Sequence, residues 1–222
     1  ATSSGLSGSP VIFTSTATFA GPTSIAYTAG DRQSAQVFTT LSSPLVVTVL
    51  NAEGNPVEGV AVRFAVALTP VGATGALLSD TLVLTDASGR ASSRLTLGTK
   101  VGAYTVTATS GALTGSPVEF NLNAIVGAAA SLVQISGDRQ TKQVATTLDS
   151  AFVVQVFDLG GNPVPGVTVQ FSIDSIPSGA TGQTITPTTA TSDAQGRATA
   201  VLKLGDKVGV YNRKGMIGER TK

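Results

Sequence analysis

Apolar and polar residues alternate with a period of two along most of the chain. Val60, Val62, Phe64 and Val66 are separated by Ala61, Arg63 and Ala65, and Val167, Val169, Phe171 and Ile173 by Thr168, Gln170 and Ser172. Val118, Phe120 and Leu122 alternate with Glu119, Asn121 and Asn123, and Ala198, Ala200, Leu202 and Leu204 with Thr199, Val201 and Lys203. One face of each stretch is apolar and the other small or polar, as a half-buried strand requires. The abundance of Thr and Val agrees, because β-branched side chains fit a pleated surface. No stretch sustains a 3.6-residue period, so almost no helix is expected. Between the alternating stretches stand NAEGNP, DLGGNP, TDASGR, SDAQGR and LGTKVG. In D-A-S-G the Asp can bond its own downstream backbone, and the Gly takes a positive φ without steric cost. Short strands punctuated in this way predict an antiparallel β-sandwich.

The pattern occurs twice. GNPVEGVAVRF begins at Gly54 and GNPVPGVTVQF at Gly161, so the offset is 161 − 54 = 107 residues. The same offset lays Asp31-Arg32-Gln33 on Asp138-Arg139-Gln140, Asp86 on Asp193, Leu97-Gly98 on Leu204-Gly205 and Tyr104 on Tyr211. No gap is needed between Ser24 and Tyr104. Two copies of one unit of immunoglobulin-domain size follow. The offset also lays Leu6, Gly8, Pro10, Val11 and Phe13 on Leu113, Gly115, Pro117, Val118 and Phe120. Residues 1–17 are therefore expected to be the last strand of a preceding copy. Residues 18–124 form a complete repeat one. Residues 125–222 form a repeat two whose final strand is missing and whose tail, 212–222, diverges. The chain reads as a segment of a longer array cut out of phase with its repeats.

Composition narrows the chemistry. There is no Cys and no His, and Lys+Arg 14 nearly cancel Asp+Glu 13. Without thiolate or imidazole, the usual zinc, copper and iron sites and the Ser–His and Cys–His nucleophile systems are not expected. A near-neutral chain with no basic block carries no footprint for nucleic acid. With no cysteine there is no disulfide, so the core alone must hold the fold. No run of about 18 or more apolar residues spans a membrane, and ATSSGLSGSP lacks the features of a signal peptide.

At GNPVxGVxVxF, followed by TDAxGRA and VGxY, the sequence resembles bacterial immunoglobulin-like domains of the invasin/intimin group. The resemblance covers all but the last eleven residues. It implies a sandwich of seven to nine strands, repeated in tandem in large bacterial surface proteins, in an extracellular setting. It implies a stalk or spacer role with no catalysis, and neighbouring repeats as partners. The alternatives are a module that grips a host receptor or glycan through its loops, and self-association by strand exchange.

GNPVEG has no Lys-Ser/Thr after it and opens a strand rather than a helix, so it reads as a turn and not a phosphate loop. Asp31-Arg32 and Asp138-Arg139 read as local ion pairs, which contribute about 0–1 kcal/mol when exposed. Asp86 and Asp193 stand alone in their turns, whereas calcium asks for about six to eight oxygens. The better calcium candidates, at the junction between copies, are Asp31, Asp80 and Asp138. Lys100, Lys142 and Lys207, with Asn121 and Asn123, raise an isopeptide bond, but no inward acid stands beside them, so the lysines read as solvated. No catalytic or cofactor-binding residue is expected.

The ends pose two further questions. Past Tyr211 the inward positions are Arg213 and Gly215, and a buried, unpaired Arg costs several kcal/mol, so the strand is expected to fray there. A strand from residues 1–17 of one chain could complete repeat two of another by β-strand addition, or those residues could simply be loose. Some codons for NRKG, read one base later, spell TVKA, which would restore the YTVTA pattern, so a frameshift is a further candidate for the origin of the tail.

Overall fold

The computed structural model describes residues 7, 12–15 and 21–217, and over these residues the chain is all-β with no helix. Repeat one contains β1 (Ser24–Ala29), β2 (Ser34–Gln36), β3 (Leu45–Leu50), β4 (Ala61–Leu68), β5 (Leu77–Leu78) and β6 (Leu82–Leu84). It continues through β7 (Arg90–Ser93), β8 (Leu95–Thr96), β9 (Gly102–Thr109) and β10 (Val118–Ile125). Repeat two contains β11 (Ala129–Ser136), β12 (Phe152–Asp158), β13 (Thr168–Ser175), β14 (Thr184–Thr186), β15 (Thr189–Thr191), β16 (Arg197–Lys203) and β17 (Asn212–Ile217).

In repeat one a sheet of order β1-β3-β7 packs on a sheet of order β2-β10-β9-β4-β6, with β5-β8 as a short pair. All its ladders are antiparallel except β2 with β10. The inward rows form one core that includes Ile25, Val47, Val49, Val62, Phe64, Tyr104, Val106 and Phe120. Phe64 is 1% exposed and Tyr104 not at all, as the alternation predicts. In repeat two β11-β12-β16-β14 packs on β15-β13-β17 around a second, separate core that includes Phe152, Val156, Val169, Phe171, Leu202 and Tyr211.

The 107-residue offset holds in three dimensions. β4 pairs Phe64 with Ala108 and Val66 with Val106, and β13 pairs Phe171 with Gly215 and Ile173 with Arg213. The backbone repeats as well: Arg32 and Arg139 both have positive φ (56° and 52°), as do Phe38 and Ala145 (62° and 60°). One difference is instructive. β2 has β10 as its sole partner, and residues 141–143, its counterpart, are in no strand. Among the described residues no counterpart of β10 stands beside that segment, so it has no ladder to join.

The tail corrects one expectation. β17 does not fray after Tyr211 but pairs with β13 through Ile217. Arg213 is neither unpaired nor fully enclosed. Its Nη2 donates to Gly137 O at 2.9 Å and to Asp138 Oδ1 at 3.2 Å, and its Cζ lies 3.7 Å from the centroid of the Phe152 ring. Burial lowers its pKa and Asp138 opposes the shift. The partners offset the desolvation that the sequence argument left uncompensated. The strand expected at residues 1–17 lies outside the described residues except for residues 7 and 12–15, which are in no strand.

Candidate functional site at the joint between the repeats

The repeated phrase begins with a turn after β3 and after β12. In both copies a side chain at the end of the strand caps the turn. Asn51 Oδ1 accepts from Glu53 N and Asn55 N, and Asp158 Oδ1 accepts from Asn162 N. Gly54 and Gly161 hold positive φ (81° and 72°), the conformation for which glycine is suited. Pro56 and Pro163 then bridge back to Leu50 and Phe157. The turn reading of GNPV is thus what the structure shows.

In repeat two the same turn also meets repeat one. Asn162 Nδ2 donates to Thr99 O at 2.8 Å, Lys100 Nζ donates to Gly160 O at 2.8 Å, and Val101 N donates to Asn162 Oδ1 at 3.4 Å. Gly160 lies so close that a Cβ there would stand 2.1 Å from Thr99 O. On the other side runs the connection between β10 and β11, three residues long. Its Gly127 donates to Asp158 Oδ2 at 3.0 Å, and the space a Cβ would take is bounded by Val37 of repeat one and Asp158 of repeat two.

Asp158 is the keystone of this arrangement. It is 3% exposed and accepts from the Asn162 backbone, both ways from the Asn162 amide, and from Gly127. Burial works to raise its pKa, but the hydrogen bonds from Asn162 and Gly127 outweigh it and hold the carboxyl below its ordinary value. The amide of Asn162 is thereby aimed at Thr99 O. Asn162 is 3% exposed, whereas its counterpart Asn55 is exposed.

The loop that repeat one contributes is shaped from inside its own core. The Tyr104 hydroxyl donates to Lys100 O at 2.8 Å, and Thr99 N donates to Thr74 O at 2.9 Å. Burial raises the Tyr104 pKa, against the hydrogen bond to Lys100. The VGxY signature therefore sets the loop that docks. Lys100, read from sequence as solvated, is half-buried and bonded across the joint.

The other candidates are dispersed. Asp31 Oδ1 accepts from Asn121 N at 2.6 Å and its Oδ2 sits 3.7 Å from Arg32 Nε, so the carboxylate caps the edge of β10. Asp138 faces Arg213 and Arg139. Asp80 is exposed, and its backbone N and O both bond Ser93 Oγ. Among the described residues no three acidic side chains gather as a metal site would require. Asp86 and Asp193 close their own turns, each Oδ1 accepting from two backbone N–H groups. Lys142 pairs with Asp149.

Comparison with known proteins adds the following. No family model matches the chain. Over 171 residues it is 36% identical to the inverse autotransporter adhesin YeeJ of Escherichia coli strain K12, an alignment that takes in 75% of this chain and 7% of that protein. The chain thus spans a small fraction of the relative's length. Similar solved structures include the D0-D1 domain of intimin, at 19% identity with 89% of this chain and 99% of that chain covered and a TM-score of 0.35. The Escherichia coli adhesin FdeC is 20% identical, with 89% and 61% covered and a TM-score of 0.48. Invasin, described as a bacterial integrin-binding protein, is 20% identical, with 87% and 36% covered and a TM-score of 0.40.

Proposed function

This chain carries bacterial immunoglobulin-like repeats of the invasin/intimin group, at the bacterial cell surface, and we propose that its two repeats act as a stiff spacer in an adhesin. The observation that supports this reading is the joint. A three-residue connection on one side and three hydrogen bonds on the other leave the repeats little freedom to pivot. Each such bond contributes about 0.5–1.5 kcal/mol net, and a default pair of domains with a small interface would move freely. The partner that the surface fits is the neighbouring repeat of the same chain, and the role is mechanical and spatial rather than catalytic. Small-angle scattering tests it: the spacer reading expects one elongated envelope with a sharply defined maximum dimension. A profile that fits only a broad ensemble of bent forms would overturn it.

A second reading, self-association by strand exchange, draws on the edge of β17. Among the described residues β17 has β13 as its only partner. A cavity of about 340 Å³ beside it is lined by Leu132, Phe152, Val154, Phe171 and Arg213. In repeat one the counterparts Ile25, Leu45, Val47 and Phe64 share a core with Phe120 of β10. By the repeat offset, Val11 and Phe13 of a second copy match Val118 and Phe120 and are the residues that would enter. Mass in solution before and after deletion of residues 1–17 tests it, and an unchanged oligomeric state would refute it.

A further inference from the structure

The two copies of the turn differ at three adjacent positions, and two of these shape the joint: Gly160 meets the neighbouring repeat, and Asp158 holds Gly127 of the connection. Repeat two has Asp158, Leu159 and Gly160 where repeat one has Asn51, Ala52 and Glu53. Leu159 is 79% exposed and takes no part, whereas Asp158 and Gly160 make the joint.

We propose that turn 158–162 is a selective acceptor for loop 99–101 of the repeat before it, and that the residue at the position of Gly160 decides which joints in such an array close. The proposal rests on the spacer reading and deepens it. The atom nearest to an ideal Cβ at Gly160 is Thr99 O at 2.1 Å, followed by the Asn162 Nδ2 tip at 2.9 Å and Thr99 C at 3.1 Å, so the tightest contact is with backbone. Backbone atoms cannot swing aside as a side-chain tip can. Glu53 carries a Cβ at this position, so turn 51–55 cannot receive a preceding repeat in the same geometry. The acid completes the selection. Asp158 offers one oxygen to the turn and a second to Gly127, and both to the Asn162 amide. Asn51 offers a single oxygen, already taken by Glu53 N and Asn55 N.

The opposite half of the joint is built into both repeats. Tyr211 donates to Lys207 O at 2.8 Å as Tyr104 does to Lys100 O, and Asp206 N donates to Thr181 O at 3.1 Å as Thr99 N does to Thr74 O. Val208 is 90% exposed, while Val101, its counterpart at the joint, is 36% exposed. Both repeats therefore present the loop, and selectivity resides in the turn that receives it. A repeat with D-x-G-G-N closes on the one before, and a repeat with N-x-E-G-N does not.

The chain has no cysteine, so Ser92→Cys and Thr199→Cys, at equivalent exposed strand positions, give two clean labelling sites. Pulsed electron paramagnetic resonance on the doubly labelled chain reads the distance distribution between repeats. The parent and the control L159A should give the same narrow distribution. G160A and G160E should widen it about two-fold or more, because free pivoting is the default between domains. Melting of both repeats, followed by circular dichroism, should stay at the parent value, because Glu53 already occupies the equivalent site in repeat one. A G160E distribution as narrow as that of a narrow parent overturns the proposal and leaves the spacer reading intact. A broad distribution in the parent overturns the spacer reading and the proposal together.

Discussion

Phe64 and Phe171 occupy the same place in the two repeats but have different surroundings, so one substitution probes both. Phe64 is 1% exposed inside a sandwich closed by β10. Phe171 is 5% exposed and borders the cavity of about 340 Å³ beside β17. Phe→Ala in a closed core costs about 3–5 kcal/mol, of which residual cavity supplies about 24 cal/mol per Å³. If ~100 Å³ stays unfilled, that share is about 2.4 kcal/mol. At Phe171 the lost ring opens into volume that already exists, so the cavity share falls and the cost should be about 1–2.5 kcal/mol. The chain has no Trp, so guanidinium unfolding is best followed by far-ultraviolet circular dichroism together with tyrosine fluorescence. Each repeat's transition can then be fitted with its own slope, which scales with the surface exposed. A cost for Phe171→Ala equal to or above that for Phe64→Ala would refute the claim that repeat two is the more open sandwich.

The strands were the most legible part of the sequence. Val62, Phe64, Val118 and Phe120 stand on the inward rows because a period of two leaves no other way to bury them. The 107-residue offset read from the sequence reappears in the pairing of β4 and of β13. The joint was not legible. Lys100 and Gly160 look like any turn residues, because local periodicity says nothing about which loop of one repeat meets which turn of the next. The one available signal lay in the contrast between DLGGNP and NAEGNP, where Gly160 replaces a Glu at the contact with repeat one and Asp158 replaces an Asn beside the connection. The tail was illegible for a related reason: the groups that compensate an inward Arg213, namely Asp138, Gly137 O and the Phe152 ring, are all distant from it in sequence.

Other outcomes follow from the same contacts. Tyr104→Phe and Tyr211→Phe each remove one hydrogen bond to a loop carbonyl and should each cost about 1 kcal/mol, yet only Tyr104→Phe should widen the inter-repeat distance distribution. Asp158 has a depressed folded-state pKa, so its contribution is present above the unfolded carboxylate pKa, near 4, and is lost as pH falls through the folded value. Distance distributions recorded down the pH scale should therefore stay narrow to about pH 4 and broaden only below it. Asp31→Ala leaves Asn121 N without its acceptor and should lower the stability of repeat one by about 1 kcal/mol in chemical denaturation, with repeat two unchanged.

The central claim is that two separately folded sandwiches behave as one stiff body. Residual dipolar couplings from the backbone amides of both repeats, measured in one weakly aligning medium, test it most directly. A single alignment tensor should fit the couplings of repeat one and repeat two together, with the relative orientation set by the joint at Asp158, Gly160 and Thr99. Two tensors of different magnitude, one for each repeat, would show independent motion and contradict the account.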